Sequence, residues 1–175
     1  TTAVVTDPHE IANVAGIPGI RYMMNASRNL PLDTFFMLPS CVPATDLEDG
    51  GAHLSAKDLA PLLDEPHVLG LAEMMNVPGG LSGDPAVYEK LTMRRELQVE
   101  GHAPGLLGKS LMGYAAAGIS SDHECVTEEE GWARLSAGMY LEIREGSAAH
   151  NLAALRPLIN ERTAPYCFFV TDDRH

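Results

Sequence analysis

Two histidines and two carboxylates in this 175-residue chain stand at positions that suit a hydrolytic metal centre. Glu73, His102, His123 and Asp172 each close a short apolar run: Val68-Leu69-Gly70-Leu71-Ala72-Glu73, Leu97-Gln98-Val99-Glu100-Gly101-His102, Gly118-Ile119-Ser120-Ser121-Asp122-His123 and Cys167-Phe168-Phe169-Val170-Thr171-Asp172. Imidazole and carboxylate together suit zinc, iron or manganese and do not choose among them. A divalent cation held by such a set acidifies a water molecule toward neutrality and makes it a nucleophile. The chemistry these residue types imply is metal-assisted hydrolysis.

Ligands so far apart in sequence need a fold that brings strand ends together. The intervals are 29 residues (73 to 102), 21 (102 to 123) and 49 (123 to 172). They fit one, one and two strand-plus-helix units of an α/β barrel, whose strands converge at their carboxyl ends on one mouth. Further strand-like runs are Thr2-Ala3-Val4-Val5-Thr6, Thr34-Phe35-Phe36-Met37-Leu38 and Met139-Tyr140-Leu141-Glu142-Ile143-Arg144, and Tyr166 to Val170 is the strand that leads to the last ligand. Seven strands are predicted in all. Helices are predicted over Ser55-Ala56-Lys57-Asp58-Leu59-Ala60, from Asp84 to Leu97 with Asp84-Pro85 as cap and first turn, from Lys109 to Ala117, from Thr127 to Ala137 and from Ala148 to Asn160. Gly118 and Gly138 close two of them, and helices that reopen into buried strands imply parallel βαβ crossovers.

From Val4 to Val170 the six strand-to-strand steps average about 28 residues, close to the roughly 30 of a βαβ unit. A complete eight-unit barrel takes about 250 residues. The expected fold is therefore a TIM-like (β/α)8 barrel lacking strand one and the last helix, one partial domain over residues 1–175. The chain begins inside a strand signal without an initiator Met, so it reads as an internal fragment of a longer enzyme.

Composition narrows the function classes. A formal net charge of −12 repels a phosphate backbone and argues against nucleic-acid partners. No apolar run approaches the roughly 20 residues of a membrane helix, and the N-terminus has no secretory pattern. Cys41, Cys125 and Cys167 are odd in number and lack CxxC spacing, so a reducing cytoplasm is the expected compartment. The expected assembly is a homo-oligomer, or self-association through open barrel edges.

Seven stretches carry a family resemblance. Thr6-Asp7-Pro8-His9-Glu10-Ile11-Ala12-Asn13, Pro39-Ser40-Cys41-Val42-Pro43-Ala44, Gly70-Leu71-Ala72-Glu73-Met74-Met75-Asn76, Gly101-His102-Ala103-Pro104-Gly105, Gly118-Ile119-Ser120-Ser121-Asp122-His123-Glu124, Ile143-Arg144-Glu145-Gly146-Ser147-Ala148 and Val170-Thr171-Asp172-Asp173-Arg174-His175 resemble, in order and from end to end, the bacterial adenine deaminase family of the amidohydrolase superfamily. The resemblance implies a barrel with two divalent cations, manganese, iron or zinc, that hydrolyses adenine to hypoxanthine and ammonia for purine salvage. It implies that Glu73 bridges both metals, that His102 and His123 bind the second, and that Asp172 binds the first and shuttles the proton. The family's His-x-His pair on strand one is absent from this sequence and would lie just upstream of Thr1. Without it, the isolated chain is expected to self-associate, hold at most about one metal and be inactive.

Other residues keep two readings. His9 and Glu10 line the pocket, or Asp7-Pro8-His9-Glu10 caps a helix. Glu124 relays a proton or is a solvated loop acid. Arg144, Glu145 and Ser147 contact the purine, or form a structural salt bridge. His53, His67 and His150 are expected to be structural, and Thr127-Glu128-Glu129-Glu130 a charge run favouring the helix dipole. The competing functions are another amidohydrolase activity, deacetylase or cyclic amidase, and a non-catalytic barrel module. Asp122-His123-Glu124 and Arg144-Glu145-Gly146-Ser147 favour adenine deamination over the first of these.

Overall fold

Short β-branched and apolar segments form most of the strands, while the strands at Gln98–Gly101 and Ser121–Asp122 are largely polar, and each strand before the last feeds a helix. The computed structural model describes every residue except Asp46, Arg95 and His175. His175, the last residue of the seventh motif, thus lies outside the described residues. Among those described, seven strands form two sheets: β1 (Ala3–Thr6), β2 (Asp33–Pro39), β3 (Val68–Met74) and β4 (Gln98–Gly101) in the order β1-β2-β3-β4, and β5 (Ser121–Asp122), β6 (Tyr140–Arg144) and β7 (Cys167–Val170) in the order β5-β6-β7. The pairs β1–β2, β2–β3, β5–β6 and β6–β7 are parallel, as the crossover pattern predicts. The chain divides into two compact units, Thr1–Val99 and Glu100–His175.

In the first unit β1 leads into α1 (His9–Ser27), the longest helix and one the sequence reading did not anticipate. Gly16, Pro18 and Gly19 hide it, and the backbone does break there, at Gly16 with φ +61°. The helix continues because its inner face, with Ala12 and Ile20 fully buried, packs against β2. Burial of that stripe outweighs local propensity. After β2 come α2 (Ala56–Leu59) and a 3₁₀ turn, and after β3 come α3 (Val77–Ser82), also unanticipated, and α4 (Pro85–Leu91). Asp84 caps α4 through the Ala86 N–H at 2.8 Å as predicted, yet the helix stops at Leu91 rather than Leu97. The Met93-Arg94 stretch carries no Gly or Pro stop, but Glu96 turns the chain through φ +62° into β4.

In the second unit α5 (Gly108–Ala116) and α6 (Glu128–Ser136) end at Gly118 and Gly138, with φ +104° and +81°, the left-handed conformation that suits glycine. The Thr127-Glu-Glu-Glu run is more specific than a charge cluster. Glu130 is buried and completes a capping box, its carboxylate accepting from the Thr127 N–H at 3.0 Å while the Thr127 hydroxyl accepts from the Glu130 N–H at 3.2 Å. Burial pushes the Glu130 carboxyl up, but the hydrogen bonds it accepts from the Val126 N–H and from the hydroxyl and N–H of Thr127 hold it below its usual range. The helix predicted from Ala148 is shorter than expected. Glu145 and His150 form an antiparallel bridge, and α7 (Leu152–Leu155) passes at Pro157 into a 3₁₀ turn. Cys125, Leu141, Ile143, Leu155 and Leu158 make the core of this unit. No helix among the described residues is long and apolar enough to cross a membrane.

Candidate metal centre

Within the second unit the residues after β4, β5, β6 and β7 converge. The His102 and His123 rings lie 5.3 Å apart between centroids at 71°, edge to face. His123, Glu124 and Asp172 each offer a ligand atom within 4.8 Å of the others. Arg144, the last residue of β6, donates from Nη1 to Asp172 Oδ2 at 2.8 Å and also to Glu124 Oε1. Burial opposes the charge on Arg144, but these two carboxylates outweigh it and raise its pKa further. Arg144 thus forms the salt bridge that was one of the two readings of this residue.

The histidines have a buried support that the sequence did not reveal. Asp122 and Arg134 are both fully buried. Arg134 Nε and Nη2 reach Asp122 Oδ2 at 2.9 and 2.8 Å, and its two Nη atoms also donate to the carbonyls of Leu106 and Ala103. Asp122 Oδ1 accepts from the N–H groups of Ala103 at 3.3 Å and Glu124 at 3.1 Å. Ala103 follows His102, and Glu124 follows His123. One ion pair, anchored on α6, therefore fixes the main chain beside both candidate ligands. The Tyr114 hydroxyl of α5 accepts from the His102 N–H at 3.0 Å and adds a second anchor.

In the first unit Glu73 is the penultimate residue of β3, and Asp7, His9 and Glu73 offer ligand atoms within 4.8 Å of one another. His9 opens α1, and its Nδ1 is 2.7 Å from Asp7 Oδ2. Burial pushes the Asp7 carboxyl up to about 6, while its hydrogen bond holds the His9 imidazolium up to about 9. Asp7 Oδ1 is buried with no hydrogen-bond partner, so this cluster offers an oxygen that a cation or a donor would satisfy. Sequence reasoning missed Asp7 as a functional group because Asp-Pro reads first as a helix start. Glu10 stays largely exposed, its carboxylate 3.5 Å from His9 Nε2.

Not every expected residue joins a cluster. Glu145 is paired with His150 at 3.0 Å and accepts from the Leu152 N–H at 3.1 Å, so it lies in the turn before α7. Ser147 contributes its N–H to the Asp173 carbonyl at 2.9 Å and so braces the turn that carries Asp172. Gly146 is required there, because a Cβ would lie 2.1 Å from the Thr171 carbonyl oxygen.

Two of the candidate ligands share a strained backbone. Among the described residues only Glu73, Glu96 and Asp172 have positive φ without being glycine, at +21°, +62° and +52°. Conformations of this kind cost roughly 1–3 kcal/mol and gather at functional sites. The donors of both units, imidazole and carboxylate, fit zinc, iron or manganese.

Residues 1–174 match a family described as the amidohydrolase family. Adenine deaminase 2 of Carboxydothermus hydrogenoformans is 54% identical over 175 residues, covering 100% of this chain and 31% of its own length. Adenine deaminase of Syntrophobacter fumaroxidans is 57% identical over 175 residues, again 100% of this chain and 30% of the relative. Adenine deaminase of Nitratidesulfovibrio vulgaris is 56% identical over 176 residues, covering 99% of this chain and 31% of the relative. The chain thus spans less than a third of the length of the curated relatives it matches.

Proposed function

Since this chain belongs to the amidohydrolase family, we propose that its two units are parts of one (β/α)8 barrel and that the full-length protein hydrolyses adenine to hypoxanthine and ammonia. The observation that carries the reading is the convergence of His102, His123, Glu124, Arg144 and Asp172 at the strand ends of the second unit. The adenine deaminases reported above, 54–57% identical along the whole chain, favour this substrate over those of a deacetylase or cyclic amidase, and favour catalysis over a binding module.

His102 and His123 would hold one divalent cation together with Glu73, and Glu73 and Asp172 would contribute to a second. When bound, these ions supply an acidified water and stabilise developing negative charge. The chain's own groups do the rest. Asp172, oriented by Arg144, takes a proton from the water that adds to the amino-bearing ring carbon and passes it to the departing ammonia. Arg144 holds Glu124 beside Asp172, where that carboxylate can take part in the same transfer. The pair Asp7 and His9 faces Glu73 and is suited to hydrogen-bond the purine edge. Three unbridged cysteines fit a cytoplasmic enzyme of purine salvage.

Ammonia release from adenine by the full-length protein, with metal content measured on the same sample, tests the assignment. His102→Ala is expected to lower bound metal and activity together. Full metal content in that variant would remove His102 from the ligand set.

Self-association belongs to the same reading. On β1 Val5 is 55% exposed, and on β7 Phe168 and Phe169 are 43% and 66% exposed, at strands that stand last in their sheet orders. Edges of this kind recruit other strands. Sedimentation of the 175-residue chain is expected to show dimers or larger species, and a monomer at all concentrations would exclude edge pairing.

A further inference from the structure

We propose that Ser40 is a positioning residue, one that holds Glu73 in the backbone conformation from which its carboxylate reaches a metal. The inference rests on the reading of Glu73 as a ligand. A glutamate at φ +21° persists only where its surroundings over-determine it. Pro39 of β2 is paired with Ala72 of β3, which sets Ser40 beside Glu73 across the parallel register. Ser40 is 2% exposed, and its hydroxyl donates to the Glu73 carbonyl at 2.7 Å. The Met75 N–H donates to that carbonyl too, also at 2.7 Å. Two donors occupy both lone pairs of one oxygen, so the peptide that follows Glu73 cannot rotate without breaking a bond.

Ser40 is itself fixed. Lys90, on α4, lays its ammonium on the Ser40 carbonyl at 2.7 Å. Such a charge-assisted bond is stronger than a neutral one. The Cys41 thiol lies 3.3 Å from the Ser40 hydroxyl, but sulfur is a weak acceptor and the distance is longer, so the hydroxyl proton goes to Glu73. A short relay thus runs from Lys90 through Ser40 to Glu73, and none of its bonds involves the carboxylate that would face a metal. Asp172 is braced in the same way: Arg144 is paired with Val170, and Gly146 and Ser147 after β6 pack against the turn after β7.

The test uses the full-length protein loaded with manganese. Ser40→Ala, Ser40→Thr, Lys90→Met and Glu73→Gln are compared for manganese retained against a chelator, for kcat and KM with adenine, and for melting temperature. Ser40→Ala is expected to lower manganese retention and kcat by roughly 10–100-fold, the scale seen when a partner that orients a metal ligand is lost, with KM unchanged. Ser40→Thr, which keeps the hydroxyl, is expected to recover most of kcat. Lys90→Met should give a smaller loss in the same direction. A Ser40→Ala protein that melts earlier yet keeps wild-type manganese retention and kcat would overturn the proposal, because that is what a purely structural hydroxyl does. If Ser40→Ala does not fold, Lys90→Met decides: lowered retention supports the relay, and wild-type retention overturns it. Glu73→Gln separates the two levels. If it retains its manganese, the reading of Glu73 as a ligand fails; if it loses manganese while Ser40→Ala does not, only the role of Ser40 fails.

Discussion

Asp172→Asn in the full-length protein is expected to reduce adenine turnover by about two to four orders of magnitude, the weight of a general acid–base group, while the fold and much of the bound metal remain. Asparagine keeps the shape of the side chain and an oxygen to receive Arg144, so the contact at 2.8 Å has a substitute. What it lacks is a site that takes a proton from water and returns it to the leaving amine. The backbone is not the target of this change, since the +52° φ of Asp172 lies in a region that asparagine adopts more readily than most residues. Ammonia release measured beside metal content separates the two effects. Normal turnover with normal metal would end the assignment of Asp172 as the proton shuttle, and loss of metal in proportion to activity would reduce it to a ligand.

The largest expected effect on stability is that of Arg134→Met. Arg134 and Asp122 are both fully buried, and the guanidinium serves Asp122 and two carbonyls at once. Removing one member of such a pair leaves an uncompensated charge in the interior and costs about 3–5 kcal/mol. Methionine fills much of the space, so the cost comes from the stranded Asp122 and from the orphaned carbonyls of Ala103 and Leu106. Because Asp122 Oδ1 also receives the N–H groups of Ala103 and Glu124, the same variant is expected to lose metal retention through His102 and His123 before it unfolds. Denaturant melts of the full-length protein measure the first effect and chelator competition the second. A shift of less than about 1 kcal/mol, the scale of a surface ion pair, would mean that the pair does not carry this unit.

Most strands were legible because they are short apolar runs that stop near a polar residue, whereas β4 and β5, Gln98–Gly101 and Ser121–Asp122, are mostly polar and were legible only from the apolar residues beside them. Glu73, His102, His123 and Asp172 could be picked out for the same reason: a strand end is a fixed offset from a pattern that sequence displays directly. The helices were legible where a cap and a terminal glycine mark them, as at Thr127 and Gly138, and obscure where helix breakers lie inside the element. The helix holding Gly16, Pro18 and Gly19 exists because its inner face is buried, a fact of packing rather than of local sequence. The supports of the site were the least legible. Arg134 is 12 residues from Asp122, Lys90 is 50 from Ser40 and Ser40 is 33 from Glu73. None of these separations follows from a helical or strand period, so the contacts emerge only once the strands are in register.

Cys125 gives the second unit a timekeeper. Its thiol is fully buried among Leu141, Ile143, Leu155 and Leu158, and burial pushes its pKa up to about 12. At neutral pH it therefore presents neither an accessible sulfur nor a thiolate, and an electrophile can consume it only in moments when the core parts. Cys167 of β7 is only half-buried, and although burial raises its pKa too, it is reached more easily and is spent first. Cys41 of the first unit is buried as well, so it is the alkylation of Cys125 itself, followed by peptide mapping, that counts openings of this core and reports how often the scaffold beneath His102, His123 and Asp172 comes apart, and by how much a bound metal slows it.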